Sequence, residues 1–443
     1  MFNSFEEVIE YFDNFYIEPS STGIIRDCRL ERMELLLAAL NNPEDSFKAI
    51  HLAGSKGKGS TAAFICAALT ASGEKTGLYL SPHLVDYRER FTLNGSFFSN
   101  EELISSANEL KECVEHFNLG PNFGGEKPSP FELYTAYAYL LFKNTHCTYA
   151  VIETGLGGRL DATNTLHSFA QVLLPIELEH TAVLGNTIEK IAVEKSKIIK
   201  PNTQTFVSYQ RMEARDVFKK EAEAQNSTIY FLDEMVSTLT SNTTKDGELV
   251  LAKTVDGQEF NLTLKMRGEV QAQNAILALQ ISQKLGFYQK GITEKAIEGV
   301  QLPGRFEQLT YKGKTLIIDV AHTKESVKHT ASSFNSIFKN KNSNAVIYAS
   351  VEGKDTLHML SSVLDSFNKI IISKPGSFKK SDTLAIYELA NSLKDRQEIY
   401  HLVDSTLALE KGLELVENDG ALLIIGSFYL ASSLLEVING SKL

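Results

Sequence analysis

Apolar positions over the first 48 residues recur at helical spacing, and the stripe from Leu30 to Leu40 stops at Asn41-Asn42-Pro43. The pattern then changes. Ala49–Ala53 is a short, almost wholly apolar run that predicts a strand, followed by a glycine-rich turn and a small-residue helix over Thr61–Ala71. The same unit returns in looser form: Tyr149–Ile152 runs up to Glu153, and Ala170–Ile176 stops shortly before His180. Strands that are apolar throughout predict a parallel sheet with both faces covered. Residues 229–266 alternate in short runs around an Asp256-Gly257 turn, which predicts a small antiparallel patch. A helix over 269–285 follows, and Leu302-Pro303-Gly304 breaks the chain. Strand–helix alternation then restarts at Thr315–Asp319, Ala345–Ala349, Lys369–Ser373 and Ala421–Ile425. The expectation is an α/β protein of two units. Residues 1–300 hold a phosphate-loop domain with a mostly parallel sheet and an antiparallel patch, and residues 301–443 a Rossmann-like α/β domain.

Composition narrows the function. A net charge of −11 argues against a nucleic-acid surface, so an anionic ligand must be held by local positive charge or metal. No apolar run reaches the ~20 residues of a membrane helix, so no membrane partner is expected. The acidic, aromatic start MFNSFEEVIEYFDNFY is unlike a secretory signal. Cys28, Cys66, Cys113 and Cys147 are scattered without CxxC spacing, so reduced thiols and a cytoplasmic location are expected.

Three clusters carry candidate chemistry. Gly54-Ser55-Lys56-Gly57-Lys58-Gly59-Ser60 lies between a predicted strand and a predicted helix. There, backbone amides and the helix N-terminus favour phosphate, with Lys58 as a point charge on it. The spacing is not the strict GxxxxGK[ST] pattern, and an ordinary Gly/Ser/Lys turn has the same composition; the strand–loop–helix context favours nucleotide. Glu153 opens a second glycine-rich stretch, Gly155-Leu156-Gly157-Gly158, at a strand end where doubly wound sheets place ligands. A carboxylate there suits Mg²⁺, although a lone solvated Glu at a strand exit is the commoner case. The third is the helix after His180, for which Asn186 and Glu189 predict a capping box and Pro201 an end. Its apolar stripe is Ile188, Ile191, Ala192, Ile198 and Ile199, and Lys195 falls in the middle of it. A lysine so placed must snorkel out, lose its charge or meet a partner.

Taken in order, LERMELLLAALNNP, HLAGSKGKGST, YLSPHLVDYRERFTLNG, FELYTAYAYLLF, ETGLGGRLDATN, EHTAVLGNTIEKIAVEKSKIIK, LPGRFEQ, IIDVAH and IIGSFYLAS resemble the folylpolyglutamate synthase/dihydrofolate synthase family of the Mur-ligase superfamily. The resemblance implies ATP as co-substrate on Ser55, Lys56, Gly57, Lys58, Gly59 and Ser60, with Asn274, Arg305 and Asp319 as further nucleotide positions. It implies Mg²⁺ on Ser81, Glu153 and His180, and a carbamylated Lys195 acting through its added oxygens. It implies a pterin site at Asp27, Phe131, Asp161 and Ala162, and places His322 and Lys354-Asp355 of the second domain against the centre, His322 joining Lys58 and Lys195 as a catalytic candidate. The implied reaction joins L-glutamate to a folate-type carboxylate through an acyl phosphate, in a chain expected to act as a monomer.

The chain departs from the family pattern in four places. Ser55 and Lys56 stand where the family has Thr and Asn, Thr323-Lys324 where it has Asn-Pro, Ser196-Lys197 where it has Ala-Gly, and Ser129-Pro130 where it has a Thr-Tyr-type pair. Three other readings stand beside this one: a Mur-type ligase acting on another carboxylate, a phosphate-loop kinase, and a silent folate-binding paralogue. The strings SPHL and GLGGRLDATN weigh against the first, the second domain against the second, and the presence of Lys58, Glu153, His180 and Lys195 against the third.

Overall fold

A computed structural model describes residues 1–15, 29–123, 127–376, 379–393 and 397–440. The first half is built on an eight-stranded sheet: β1 (Lys48–Ala53), β2 (Thr76–Tyr79), β3 (Phe91–Leu93), β4 (Ser96–Phe97), β5 (Tyr149–Glu153), β6 (Ala170–Leu173), β7 (Gln204–Val207) and β8 (Thr228–Phe231). Their order is β4-β3-β2-β5-β1-β6-β7-β8, parallel except for β3 and β4. β1 lies between β5 and β6, pairing Leu52 with Glu153 and Ala53 with Leu173. Its residues from Ala49 to Ala53 are all buried, as an all-apolar central strand requires. Because β1, β2, β5 and β6 run the same way, the segments that leave them share one edge of the sheet.

Helices cover both faces. Phe5–Asp13, Arg29–Ala39, Asn100–His116 and Pro130–Asn144 pack one side around Phe12, Leu37, Leu110 and Tyr137. On the other side Lys58–Ala71 and Glu269–Lys284 share a core with a separate antiparallel sheet of β9 (Val236–Thr243), β10 (Glu248–Thr254) and β11 (Glu259–Leu264). The predicted antiparallel patch is therefore shorter than 229–266. Thr228–Phe231 pairs parallel with β7 in the main sheet. β6 also ends before Ile176, because Pro175 has no amide to extend the ladder and its carbonyl instead takes the Ser55 amide at 2.9 Å.

Every strand after Phe306 belongs to a third sheet: β12 (Glu307–Tyr311), β13 (Lys314–Ile318), β14 (Ala345–Tyr348), β15 (Lys369–Ile372), β16 (Glu398–His401) and β17 (Ala421–Ile425), in the order β12-β13-β17-β14-β15-β16. All pairs are parallel but β12 with β13. β12 and β16 are the two edges and lack fully buried runs, which is why apolar patterning missed them. The chain reaches this sheet through a sharp corner with Gly304 at φ 63° and Phe306 at φ 49°. Leu84, from the first half, packs into its core. Among the described residues no helix is long and apolar enough to cross a membrane, and Cys66, Cys113 and Cys147 are free thiols.

One buried ion pair anchors the helix Pro130–Asn144. Arg32 donates from Nε and Nη2 to the two oxygens of Glu132 at 2.8 and 2.9 Å, and to the carbonyls of Phe123 and Lys127. Glu132 also takes the Ser129 amide at 2.6 Å, closing the helix cap. Both side chains are 1% exposed, so removing the guanidinium strands a buried carboxylate. Arg32→Met should cost about 3–5 kcal/mol of folding stability, measured by urea unfolding. Arg32→Met paired with Glu132→Leu should recover much of it.

Candidate active site

The glycine-rich loop after β1 is drawn tight from both ends. Ser55 gives its amide to Pro175 and its hydroxyl to the Glu177 carbonyl at 3.3 Å. Gly57 sits at φ 81° and starts the helix Lys58–Ala71, three residues earlier than the sequence pattern suggested. A side chain at Gly57 would lie 3.0 Å from Asn274 Oδ1, so the loop rests on the helix Glu269–Lys284 at that point. Lys58 donates to the Gly54 carbonyl at 3.1 Å and lies 3.7 Å from Glu153. Ser60 is buried, Gly59 faces Glu153 Oε2, and Lys56 makes neither hydrogen bond nor ion pair among the described residues.

Glu153 closes β5 beside this loop. Its Oε2 takes the Ser81 amide at 3.2 Å. Burial raises its carboxyl above the ordinary range, against the opposing charges of Lys58 and Arg305. The Ser81 hydroxyl has no hydrogen bond among the described residues. His180 is exposed, at φ 46°, and partial burial lowers its imidazole despite Glu179. Among the described residues no three His, Cys, Asp or Glu side chains gather as a metal-binding group.

Lys195 is 2% exposed and has met partners: its Nζ donates to the Gly54 carbonyl at 2.9 Å and pairs with Glu179 Oε1 at 3.1 Å. Burial, helped by the charge of Lys58, pushes its ammonium down to about 8. The helix that carries it is Ile188–Ser196, capped by Thr187, whose hydroxyl takes the Lys190 amide at 3.3 Å. The expected Asn186 cap is thus one residue early, because it is Thr187 that adopts the extended backbone. The helix also ends before Ile198 and Ile199, which stay buried in the turn that follows. Glu177 and Glu179 were missed in the sequence. Their signal was two carboxylates alternating with apolar residues past an apolar strand, in Ile176-Glu177-Leu178-Glu179.

The second glycine stretch lies against both neighbours. A side chain at Gly155 would come within 2.3 Å of the Phe131 ring, and one at Gly158 within 2.8 Å of the Glu194 carbonyl. Arg159 gives its amide to that same carbonyl at 2.8 Å. Asp161 and Ala162 are fully buried, and the Asp161 carboxylate is engaged by the amides of its own loop. Asp27 lies outside the described residues.

From the second half, Arg305 bears electrostatically on Glu153, Asp319 and His322. Asp319 takes the amides of Phe306 and Ala321, each at 2.8 Å, and burial raises its carboxyl. His322 gives Nδ1–H to the Val320 carbonyl at 2.8 Å. Burial and the charge of Lys56 push its imidazole down to about 4, leaving it neutral with Nε2 unprotonated. Lys354 is exposed and its charge is also felt at His322, whereas Asp355 caps its own helix and binds His358 at 2.7 Å.

The chain matches the Mur ligase middle domain over residues 52–282, more than half its length. The fold is therefore that of a Mur-type ligase. Dihydrofolate synthase/folylpolyglutamate synthase of Bacillus subtilis is 30% identical over 416 residues, 91% of this chain and 94% of that one. The folylpolyglutamate synthase of Thermotoga maritima has a similar structure, with a TM-score of 0.83 at 27% identity over 99% of this chain and 97% of that one. For the Mycobacterium tuberculosis folylpolyglutamate synthase complexed with ADP the TM-score is 0.86 at 26% identity, over 99% and 98%. The chain belongs to the folylpolyglutamate synthase/dihydrofolate synthase family of ligases.

A carboxyl whose folded-state pKa is raised loses stability as pH climbs from 4.5 through the raised value, because the buried anion is disfavoured. Glu153→Gln keeps an acceptor for the Ser81 amide without that anion. It should melt at a higher temperature than the parent at pH 7 by scanning calorimetry, and should have lost its turnover.

Proposed function

We propose that this chain joins the amine of L-glutamate to the carboxylate of a pteroate or folyl substrate, at the expense of ATP. The observation that carries the proposal is the meeting of Lys58 and Lys195 on the Gly54 carbonyl, with Glu153 and Ser81 alongside. The substrate carboxylate attacks the γ-phosphorus of ATP, giving an acyl phosphate and ADP. The neutral amine of glutamate then attacks the acyl carbon, phosphate leaves, and the nitrogen sheds its proton. The chain's part is to position these groups and offset their charge. Loop amides and Lys58 hold the phosphates, and Asn274 backs the loop. Arg305, Asp319 and His322 close the site from beyond a boundary near residue 300. The Phe131 ring on Gly155 offers a flat apolar face to a pterin. One cytoplasmic chain supplies every residue that this scheme uses.

Ser81, Glu153 and His180 suit Mg²⁺: an unbonded hydroxyl, a carboxylate beside Lys58 and an imidazole kept neutral are all able to donate to a hard cation. The ion supplies screening of phosphate charge. With its ammonium near 8, Lys195 is about one-tenth free amine at pH 7, enough to add CO₂, release a proton and become a carbamate. The resulting anion would part from Glu179 and present oxygens to the site.

Incubation with ATP, glutamate and either dihydropteroate or tetrahydrofolate tests the function. Amide and ADP in equal amounts with one of them are expected, whereas inertness with both would redirect the search to another carboxylate. Lys58→Ala should fold normally and release no phosphate; near-parental release would remove the loop from the mechanism.

Lys195→Ala should be inactive and partly rescued by acetate, while Lys195→Arg should stay inactive because guanidinium cannot take up CO₂. With CO₂ limiting, activity of the parent should climb as pH rises toward 8, the direction in which the amine deprotonates. An active Lys195→Arg enzyme would rule out the carbamate.

A further inference from the structure

His51 lies in the middle of β1, wholly buried, three residues before the phosphate loop. It plays no part in the scheme above. A histidine is a poor choice for a central strand unless a specific bond needs it. Its Nε2 lies 2.8 Å from Thr163 Oγ1, while Nδ1, equally buried, has no partner. The direction of that bond follows from the next one. Thr163 Oγ1 lies 2.5 Å from Asp161 Oδ1, and a carboxylate only accepts, so the single hydroxyl proton goes to Asp161. The lone pair facing His51 must then be met by Nε2–H. The imidazole is thus held in one tautomer, and burial, which pushes it down to about 3, keeps it neutral throughout the physiological range.

The chain of bonds continues. Asp161 Oδ1 also takes the Thr163 amide at 3.1 Å, and Oδ2 takes the amide of Leu156 at 2.8 Å. Leu156 stands between Gly155, which meets the Phe131 ring, and Gly158, which rests on the backbone of the helix bearing Lys195. The charge of Asp161 is itself felt at Lys195. A donor on β1 therefore sets the rotamer of Thr163, which sets Asp161, which sets the loop between the Phe131 ring and Lys195. The unpartnered Nδ1 is the penalty for having that donor there, since an apolar residue would fill the strand without an orphaned nitrogen.

We propose that His51 is a positioning residue of the ligase reaction, acting through Thr163 and Asp161 on the Leu156 amide; the kinetic half of this rests on the function proposed above. No imidazole contact with substrate is involved. β1 is held by backbone pairing to β5 and β6, so the phosphate loop does not depend on the ring.

Four variants of the full chain test it: His51→Gln, His51→Leu, Thr163→Ser and Thr163→Val. Gln carries an amide donor at the reach of Nε2, and Ser keeps the hydroxyl; both should retain parental kcat. Leu and Val break the chain at successive links and should lower kcat roughly tenfold or more with KM for ATP unchanged. Independently of turnover, hydrogen exchange of the peptide 154–163 should quicken in the Leu and Val variants and not in Gln or Ser. Should His51→Leu fail to fold, Thr163→Val decides alone, since it leaves β1 untouched. Parental exchange in that peptide, or parental kcat, in Thr163→Val would overturn the proposal. Quickened exchange in the Leu and Val variants, with a parent enzyme that forms no folate amide, would uphold the bond chain and refute only the reaction assigned to it.

Discussion

Two ammonium groups converge on one backbone carbonyl. Lys58 and Lys195 both donate to the oxygen of Gly54, and each has one carboxylate beside it, Glu153 for the first and Glu179 for the second. Like charges this close repel strongly where water is scarce, and the charge of Lys58 adds to burial in depressing the proton affinity of Lys195. The arrangement holds because Gly54 carries no side chain: a Cβ there would lie 2.6 Å from Leu174 Cβ, so the segment leaving β6 presses against the loop and fixes where the carbonyl points. The phosphate loop, the end of β5 and the helix of Lys195 are thereby bound to one another by four charges and one dipole.

That arrangement is possible only because the sheet is parallel. Strands β1, β2, β5 and β6 deliver Gly54, Ser81, Glu153 and Glu179 to the same edge although these residues are up to 125 positions apart in the chain. Apolar runs such as Ala49–Ala53 and Ala421–Ile425 were legible because a strand buried on both faces has no polar position to interrupt it. The edge strands β12 and β16 were not, since none of their residues is fully buried and their patterning resembles a loop. The helix of Lys195 was visible as a stripe, but its first residue turned on a choice between Asn186 and Thr187 that backbone conformation decides and composition does not.

The candidate site was readable to a similar depth. Lys58 and Glu153 announced themselves by glycine-rich surroundings at strand ends, and Lys195 by standing where an apolar residue belongs. What a linear pattern cannot display is a partner 16 residues upstream in another element, so Glu179 came to light only when its 3.1 Å contact was seen. The same holds for the partners of Asp161. The resemblance marks it only as a pterin position, and in the fold it is a buried acceptor shared by two amides and a hydroxyl.

The corner at Gly304–Phe306 has a bearing on how such chains diverge. Both residues occupy left-handed backbone, Phe306 without the freedom of glycine, and the Asp319 carboxylate and the Val320 amide hold them there by bonds of 2.8 and 3.0 Å. The third sheet is therefore attached through a clamped bend and not through a tether. Gaining or losing one residue between Pro303 and Glu307 would rotate every element that follows, while the exposed turn at 255–257 can lengthen with little effect elsewhere. Insertions and deletions that survive among relatives belong in that hairpin, and the corner should keep its length even where its residues change.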